Sequence, residues 1–567
     1  MSAILGGLEM PTVEVRTSGR RAVSKRWGWR AAPVLGALLV ALPVLVVFSF
    51  WLVPVESDWT HIRETVLGEY IRNSLGLFVI VAVVTAVVGA TTAYLVATYE
   101  FPGRGFLEWV LILPLALPTY IAAFAYLGLL DYAGPVQTGI RDLFGFETAR
   151  DYWFPEIASL PGVAIVMSLV LYPYVYLLAR PVMSNQVQEL HETARTFGWH
   201  GFGLFRRVAL PLSRPAIAAG AGLAVMEALG DFGSVSFYGV PTFTTGIYRT
   251  WLNMGDLPGA ARLASLLLVF VLAAILLERW SRRRMPVETA NQRIEARRQP
   301  LIGWQAAAAF FVCLVPPLLG FALPVYQLGT WAVDHLQVLA TPAFYGMAAR
   351  TAGLALGVAI FIVVVGLLLR YGQRVVDSRL IEGCNRLASL GYAVPGSVVA
   401  VGVLIPLAGL DRFLDGRFES WFGISLGLVF SGTVFALAYA YFVRFVAVAY
   451  GAADGGLGRL SRQLDHAALT LGCGPVRSLF RIHFPLLRGT LLGALVLVMV
   501  DIMKELPATL ILRPFNFETL ATYTYALASE ERLPEAAVYA LAIVTLGVIP
   551  VFVLTKLMKT GREPEAV

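Results

Sequence analysis

Twelve apolar stretches, each close to the length of a bilayer-spanning helix, leave this chain few folds to choose from. A helix needs about 20 mostly apolar residues to cross the hydrocarbon core. The stretches fall near residues 31–53, 73–97, 106–130, 162–179, 215–239 and 260–279. The second set lies near 301–326, 347–369, 386–410, 421–443, 489–512 and 535–557. In lipid each backbone polar group must be satisfied internally, which admits only helices and closed barrels. Runs of this length select helices. The expected fold is all-α, a polytopic membrane protein of about twelve spans with Pro114, Pro118 and Pro173 kinking two of its segments. Composition agrees, at 57% hydrophobic and 14% charged, against roughly 45–50% and 25% in soluble domains.

The two sets of spans are related. Arg72 pairs with Arg350, Ala116-x-Pro118 with Ala393-x-Pro395, Gly198 with Gly472 and Pro211 with Pro485. Further on, Phe243-x-Thr245 pairs with Phe517-x-Thr519, and Leu257-Pro258-x-Ala260-Ala261 with Leu533-Pro534-x-Ala536-Ala537. An internal repeat of this kind sets the domain plan. It comprises a polar tail (1–30), a first six-span unit (31–279), a basic linker (280–300), a second unit (301–558) and a short tail (559–567).

Lys and Arg gather on the cytoplasmic side of membrane proteins. The 180–214 loop carries Arg180, Arg195, Arg206, Arg207 and Arg214, and the 444–488 loop carries Arg444, Arg459, Arg462, Arg477, Arg481 and Arg488. Segment 131–161 has Arg141 and Arg150 against five acids. Both termini and both basic loops are therefore expected in the cytoplasm. The net charge of +7 is scattered between apolar runs and points to no nucleic acid. Cys313, Cys384 and Cys473 are lone thiols without metal-site spacing.

Those two loops carry a motif. In Glu189–Pro215 a short amphipathic helix is expected, then a turn at Gly198, a second amphipathic piece and a stop at Pro211. Glu192-Thr193-Ala194, then Gly198, then Val208-Ala209-Leu210-Pro211 resembles the "EAA" loop of binding-protein-dependent ABC importer permeases. The second loop has Asp465-His466-Ala467-Ala468, Gly472 and Phe484-Pro485, with His where the family has Glu. The resemblance implies that Glu192, Ala194, Gly198, Pro211, Asp465, His466, Ala467, Gly472 and Pro485 dock a cytoplasmic ABC ATPase dimer. It also implies a periplasmic or surface substrate-binding protein as the second partner, and residence in the bacterial inner membrane.

Five ionisable residues fall inside spans, and their placement repeats. Glu227 and Asp501 each lie sixteen residues after their proline, and Asp231 and Glu505 four further on, with Lys504 beside the last. A charge at a span centre costs about 2.5–3.5 kcal/mol on the insertion scale. Such groups face a polar cavity or one another, and they are the candidate translocation pathway. Pro507, Gly230 and Gly233 are placed to break the helices beside them. Thr242, Thr244, Thr245, Tyr248, Thr519, Thr522, Tyr523, Thr524 and Tyr525 follow, as a gate, a docking surface or part of an aromatic belt. Glu227-Ala-Leu-Gly-Asp-Phe-Gly and Lys504-Glu-Leu-Pro-Ala-Thr-Leu-Ile-Leu-Arg-Pro-Phe515 resemble the ferric-iron branch of these permeases. Thiamine, polyamine and aminophosphonate permeases share the architecture, and an ion-coupled secondary transporter would also suit twelve spans in two halves.

No Gly-x-x-x-x-Gly-Lys-[Ser/Thr] occurs, since none of the lysines at 25, 504, 556 and 559 follows a glycine. ATP and Mg are thus expected on the partner ATPase, with no cofactor and no stable metal on this chain. No catalytic constellation is visible, so an enzyme is not expected.

Overall fold

Proline and glycine punctuate an otherwise continuous helical chain. The computed structural model describes residues 19–54, 57–196, 201–282 and 298–560. Among them the strand content is one parallel pairing of Tyr99–Glu100 with Gln299–Pro300, which ties the end of the linker to the first half. Nine described helices are long and apolar enough to cross a bilayer. Two more candidates are bent pairs: Arg104–Ala116 with Thr119–Phe144 at 92°, and Leu160–Leu171 with Pro173–Ser184 at 44°. A shorter apolar helix, Leu533–Ile549, comes last. The bends sit at Pro118 and Pro173, where a missing N–H and a ring clash interrupt the helical ladder.

The tenth span differs from its expected position. The ninth does not end near 410 but continues as Gly396–Phe422, with Gly423 closing it at φ +66°. Residues 423–433 are non-helical, and the next helix is Val434–Gly458. Hydropathy failed there because the connecting segment (Ile424, Leu426, Leu428 and Val429) is itself apolar and exposed.

The two halves repeat one packing scheme, and each lends part of its first span to the other. Leu210–Gly230 packs on Leu67–Thr98 and Pro173–Thr196, as Phe484–Met503 packs on Pro342–Val375 and Val434–Gly458. Gly19–Ser49 packs mainly on Pro342–Val375, Arg379–Ser389 and Gly396–Phe422 of the other half, while Trp304–Pro317 rests on Leu67–Thr98 and Arg104–Val110. On Leu67–Thr98, exposed Leu75, Val79, Val83 and Val87 recur every fourth residue and form one stripe. That stripe suits lipid, not water.

Candidate functional site

The two central helices both break at the same depth. Leu210–Gly230 ends one residue before Asp231 and resumes as Gly233–Phe237; Phe484–Met503 ends before Lys504 and resumes as Pro507–Leu512. The breaks expose N–H groups that nearby carboxylates satisfy. Asp231 accepts from the Ser234 N–H at 2.8 Å, and Glu505 from those of Ala508 and Thr509 at 3.1 Å each. Thr119 also donates to Asp231.

Between the breaks lies a cavity of about 70 Å³. Glu227, Asp231, Asp501, Lys504 and Glu505 all line it, so the structure brings the five predicted pathway residues together. Lys504 Nζ pairs with Asp501 Oδ1 at 2.9 Å. A sixth charged residue, Arg444, joins them. Its Nη1 lies 2.9 Å from Glu505 Oε1 and its Nη2 3.7 Å from Glu227 Oε2. Arg444 therefore belongs not to a basic loop but to the middle of Val434–Gly458. The signal was present in the sequence, since Arg444 has an unbroken run of ten apolar residues on its N-terminal side and six on its C-terminal side. Four carboxylates against two cations leave a formal excess of two negative charges in the lining. No three His, Cys, Asp or Glu side chains among the described residues converge as a metal-holding group.

An aromatic cluster adjoins this cavity. Phe232 stacks on Tyr248 at 3.9 Å and meets Tyr525 of the other half at 5.7 Å, while the Tyr525 hydroxyl lies 3.1 Å from Ser236 Oγ. The neighbouring threonines are structural. Thr242 with Thr245, and Thr519 with Thr522, form capping boxes on Phe243–Tyr248 and Leu520–Ser529. Thr242, Thr244, Thr519, Thr522 and Thr524 are buried, which rules them out as a docking surface in this conformation. The caps also correct the alignment: Thr242 answers Thr519, not Phe243 answering Phe517. The helix N–H groups agree, with Phe243 donating to Ser74 and Leu520 to Thr351.

The paired loops lie at one end of these helices. In the second, Gln463–Thr470 is followed by Gly472 at φ +75°, Pro475–Ser478 and the π-helical turn Leu479–His483. Asp465 accepts from Arg374, while His466 and Ala467 are exposed. In the first, Glu192 and Ala194 fall on Pro173–Thr196 with their side chains outside the described set, and Gly198 lies outside the described residues. There, Gly201–Leu204 and the π-helical turn Phe205–Ala209 lead into Leu210–Gly230. Pro211 and Pro485 sit in the first turns of the central helices, so neither stops the chain. A proline removes one ladder bond and crowds the carbonyl four residues back, and the preceding turn widens to a π bulge in both halves.

Residues 89–286 match the family described as binding-protein-dependent transport system inner membrane component. Over 536 residues the chain is 24% identical to the Fe(3+)-transport system permease protein FbpB 2 of Haemophilus influenzae, covering 92% of this chain and 97% of that one. It is 23% identical to the ferric transport system permease protein FbpB of Actinobacillus pleuropneumoniae, over 92% of this chain and 78% of the other. The sulfate transport system permease protein CysT of Salmonella typhimurium is 29% identical over 41% of this chain and 80% of its own length.

Proposed function

The chain is a permease of the binding-protein-dependent ABC importer type, and from that premise we propose that it passes ferric iron inward through the cavity between its broken helices. The observation that carries this reading is the lining itself: four carboxylates, contributed in matched pairs by the two halves, around one narrow space. A path of net negative potential favours cations, and hard cations take oxygen ligands. The two relatives matching over 92% of this chain are both named as ferric permeases, which supports the same choice.

In this reading residues 31–279 and 301–558 are two fused permease units, with the loops around Gly198 and Gly472 and both chain termini in the cytoplasm. A cytoplasmic ATPase dimer holding ATP and Mg grips Glu192, Ala194, Gly198 and Pro211 on one loop. On the other it grips Asp465, His466, Ala467, Gly472 and Pro485. An external binding protein delivers the ion. The chain itself binds no nucleotide, so its energy comes from the ATPase. Closing the ATPase draws the loops together, and the broken helices, rigidly joined to those loops, change the side on which the cavity opens. Such a switch needs contacts that differ between its two states.

The test is uptake into vesicles holding this chain, its ATPase and its binding protein, with labelled ferric ion, thiamine and sulfate compared. Ferric uptake that requires ATP is expected. Sulfate is included because Arg444 and Lys504 place two cations in the lining. Transport of sulfate or thiamine in place of iron, or transport without nucleotide, would overturn the assignment.

A further inference from the structure

The repeat is broken at several positions inside the cavity, and Arg444 is one of them. In the spacing that pairs Pro211 with Pro485, the counterpart of Arg444 is Val170, and both line the space. The halves have also diverged in how they hold the deeper acid. Thr119 donates to Asp231 in the first half. Gly396, its counterpart, has no side chain, and a Cβ there would overlap Arg444 Nη1 and Glu505 Oε1. The second half thus has a guanidinium and the room to seat it.

The seat is unequal. Glu505, almost fully buried, holds Arg444 at 2.9 Å, while Glu227, 29% exposed and on the other half, is 3.7 Å away. Arg444 Nε has no hydrogen-bond partner among the described residues. A guanidinium stays charged in any protein environment, and a buried charge persists only where it is compensated. Resting on the cation reading above, we propose that Arg444 is the resident counter-charge of the empty pathway, and that the travelling cation takes its place at Glu227. Arg444 stays with Glu505 in its own half. Its loose contact to Glu227, which crosses between the halves, is the one that yields.

Removing a unit charge a few ångströms from a bound cation changes affinity by more than tenfold even at an effective dielectric near 20. The test uses the intact permease–ATPase complex in nanodiscs, with terbium(III) as the probe. Emission sensitised by the tyrosines lining the cavity (Tyr120, Tyr174 and Tyr392) reports binding. Arg444→Gln should bind terbium about tenfold or more tightly than the unaltered complex. Adding Glu227→Gln and Glu505→Gln to it should abolish the gain. Arg444→Lys keeps the buried charge beside Glu505, so it assembles even if Arg444→Gln does not. Its single ammonium cannot bridge two carboxylates, and it should bind terbium severalfold more tightly. Affinity unchanged or lowered in an assembled variant would overturn the proposal. A cation other than iron in the uptake assay, with the terbium gain intact, would overturn only the ferric assignment.

Discussion

Asp465 is tied to a spanning helix: its carboxylate accepts from Arg374 Nε at 2.7 Å, with His483 Nε2 lying 2.9 Å away. Arg374, in the last turn of Pro342–Val375, also donates to the carbonyls of Leu457, Leu460 and Ser461. Those carbonyls close Val434–Gly458, where a cation is favoured by the helix dipole. One arginine therefore joins two spanning helices and the short helix of the second loop. The acid that the family places one residue later is replaced by exposed His466, and the fixed acid of this loop is Asp465.

Asp465→Asn should loosen that loop while leaving the spans in place. A hydrogen bond to a charged group contributes about 1.5–3 kcal/mol, and partial exposure of Asp465 puts the loss toward the lower end. Retention of the ATPase during purification should fall severalfold. Equal retention in Asp465→Asn would show that the Arg374 contact does not shape the docking surface.

Gly472→Val tests the turn itself. At φ +75° a side chain is strained, although nothing lies within 4 Å of the added Cβ. The left-handed conformation costs about 1–2 kcal/mol, an amount a two-half membrane protein absorbs. Insertion should be normal and ATPase co-purification lost. Gly198→Val, from the same reading of the sequence, should act alike. Normal co-purification in both would remove these turns from the coupling surface.

How far the sequence reaches is clearest at three positions. The all-α fold and most of the span placement were legible because lipid makes hydropathy nearly sufficient. Glu227 and Asp231, Asp501 and Glu505 were legible because charge inside an apolar run is costly, and repetition at one spacing makes chance less plausible. Arg444 was not, because the apolar segment 423–433 drew the tenth span thirteen residues too early and left this residue counted as loop. The threonine caps fall out of register in the sequence because a three-residue insertion between Glu505 and Thr519, relative to Asp231 and Thr242, shifts the repeat there.

Glu227→Gln with Asp231→Asn should stop uptake without stopping assembly. Asp231 has a second duty, since it accepts from Ser234 and Thr119; Asn keeps an acceptor there. Glu227 is part-exposed to the cavity and is held only by the long contact to Arg444 among the ion pairs of the described residues. Uptake should fall tenfold or more, about the effect of removing a nearby charge at intermediate dielectric. ATPase retention should match the unaltered protein. Undiminished uptake would take these acids out of the path.

Gly396→Ala reaches the same charges through packing alone. Its methyl would be pushed into Arg444 Nη1 and Glu505 Oε1, which are themselves bonded at 2.9 Å. Neither can retreat freely: Glu505 is fixed by the Ala508 and Thr509 N–H groups, and Arg444 lies over the Phe445 ring at 5.6 Å with its Nη2 toward Glu227. Overpacking of this kind costs about 1–3 kcal/mol, and here it also lengthens a charge pair in a low dielectric. The midpoint of thermal unfolding of the purified complex should drop, and pairing the change with Arg444→Gln, which shortens and discharges the neighbour, should recover part of the loss. Thr119→Ala, at the matching position of the first half, deletes a hydroxyl without forcing a clash and should lower the midpoint less. An unchanged midpoint in Gly396→Ala would mean that the guanidinium does not rest against this glycine, and the seat inferred for Arg444 would have to lie elsewhere.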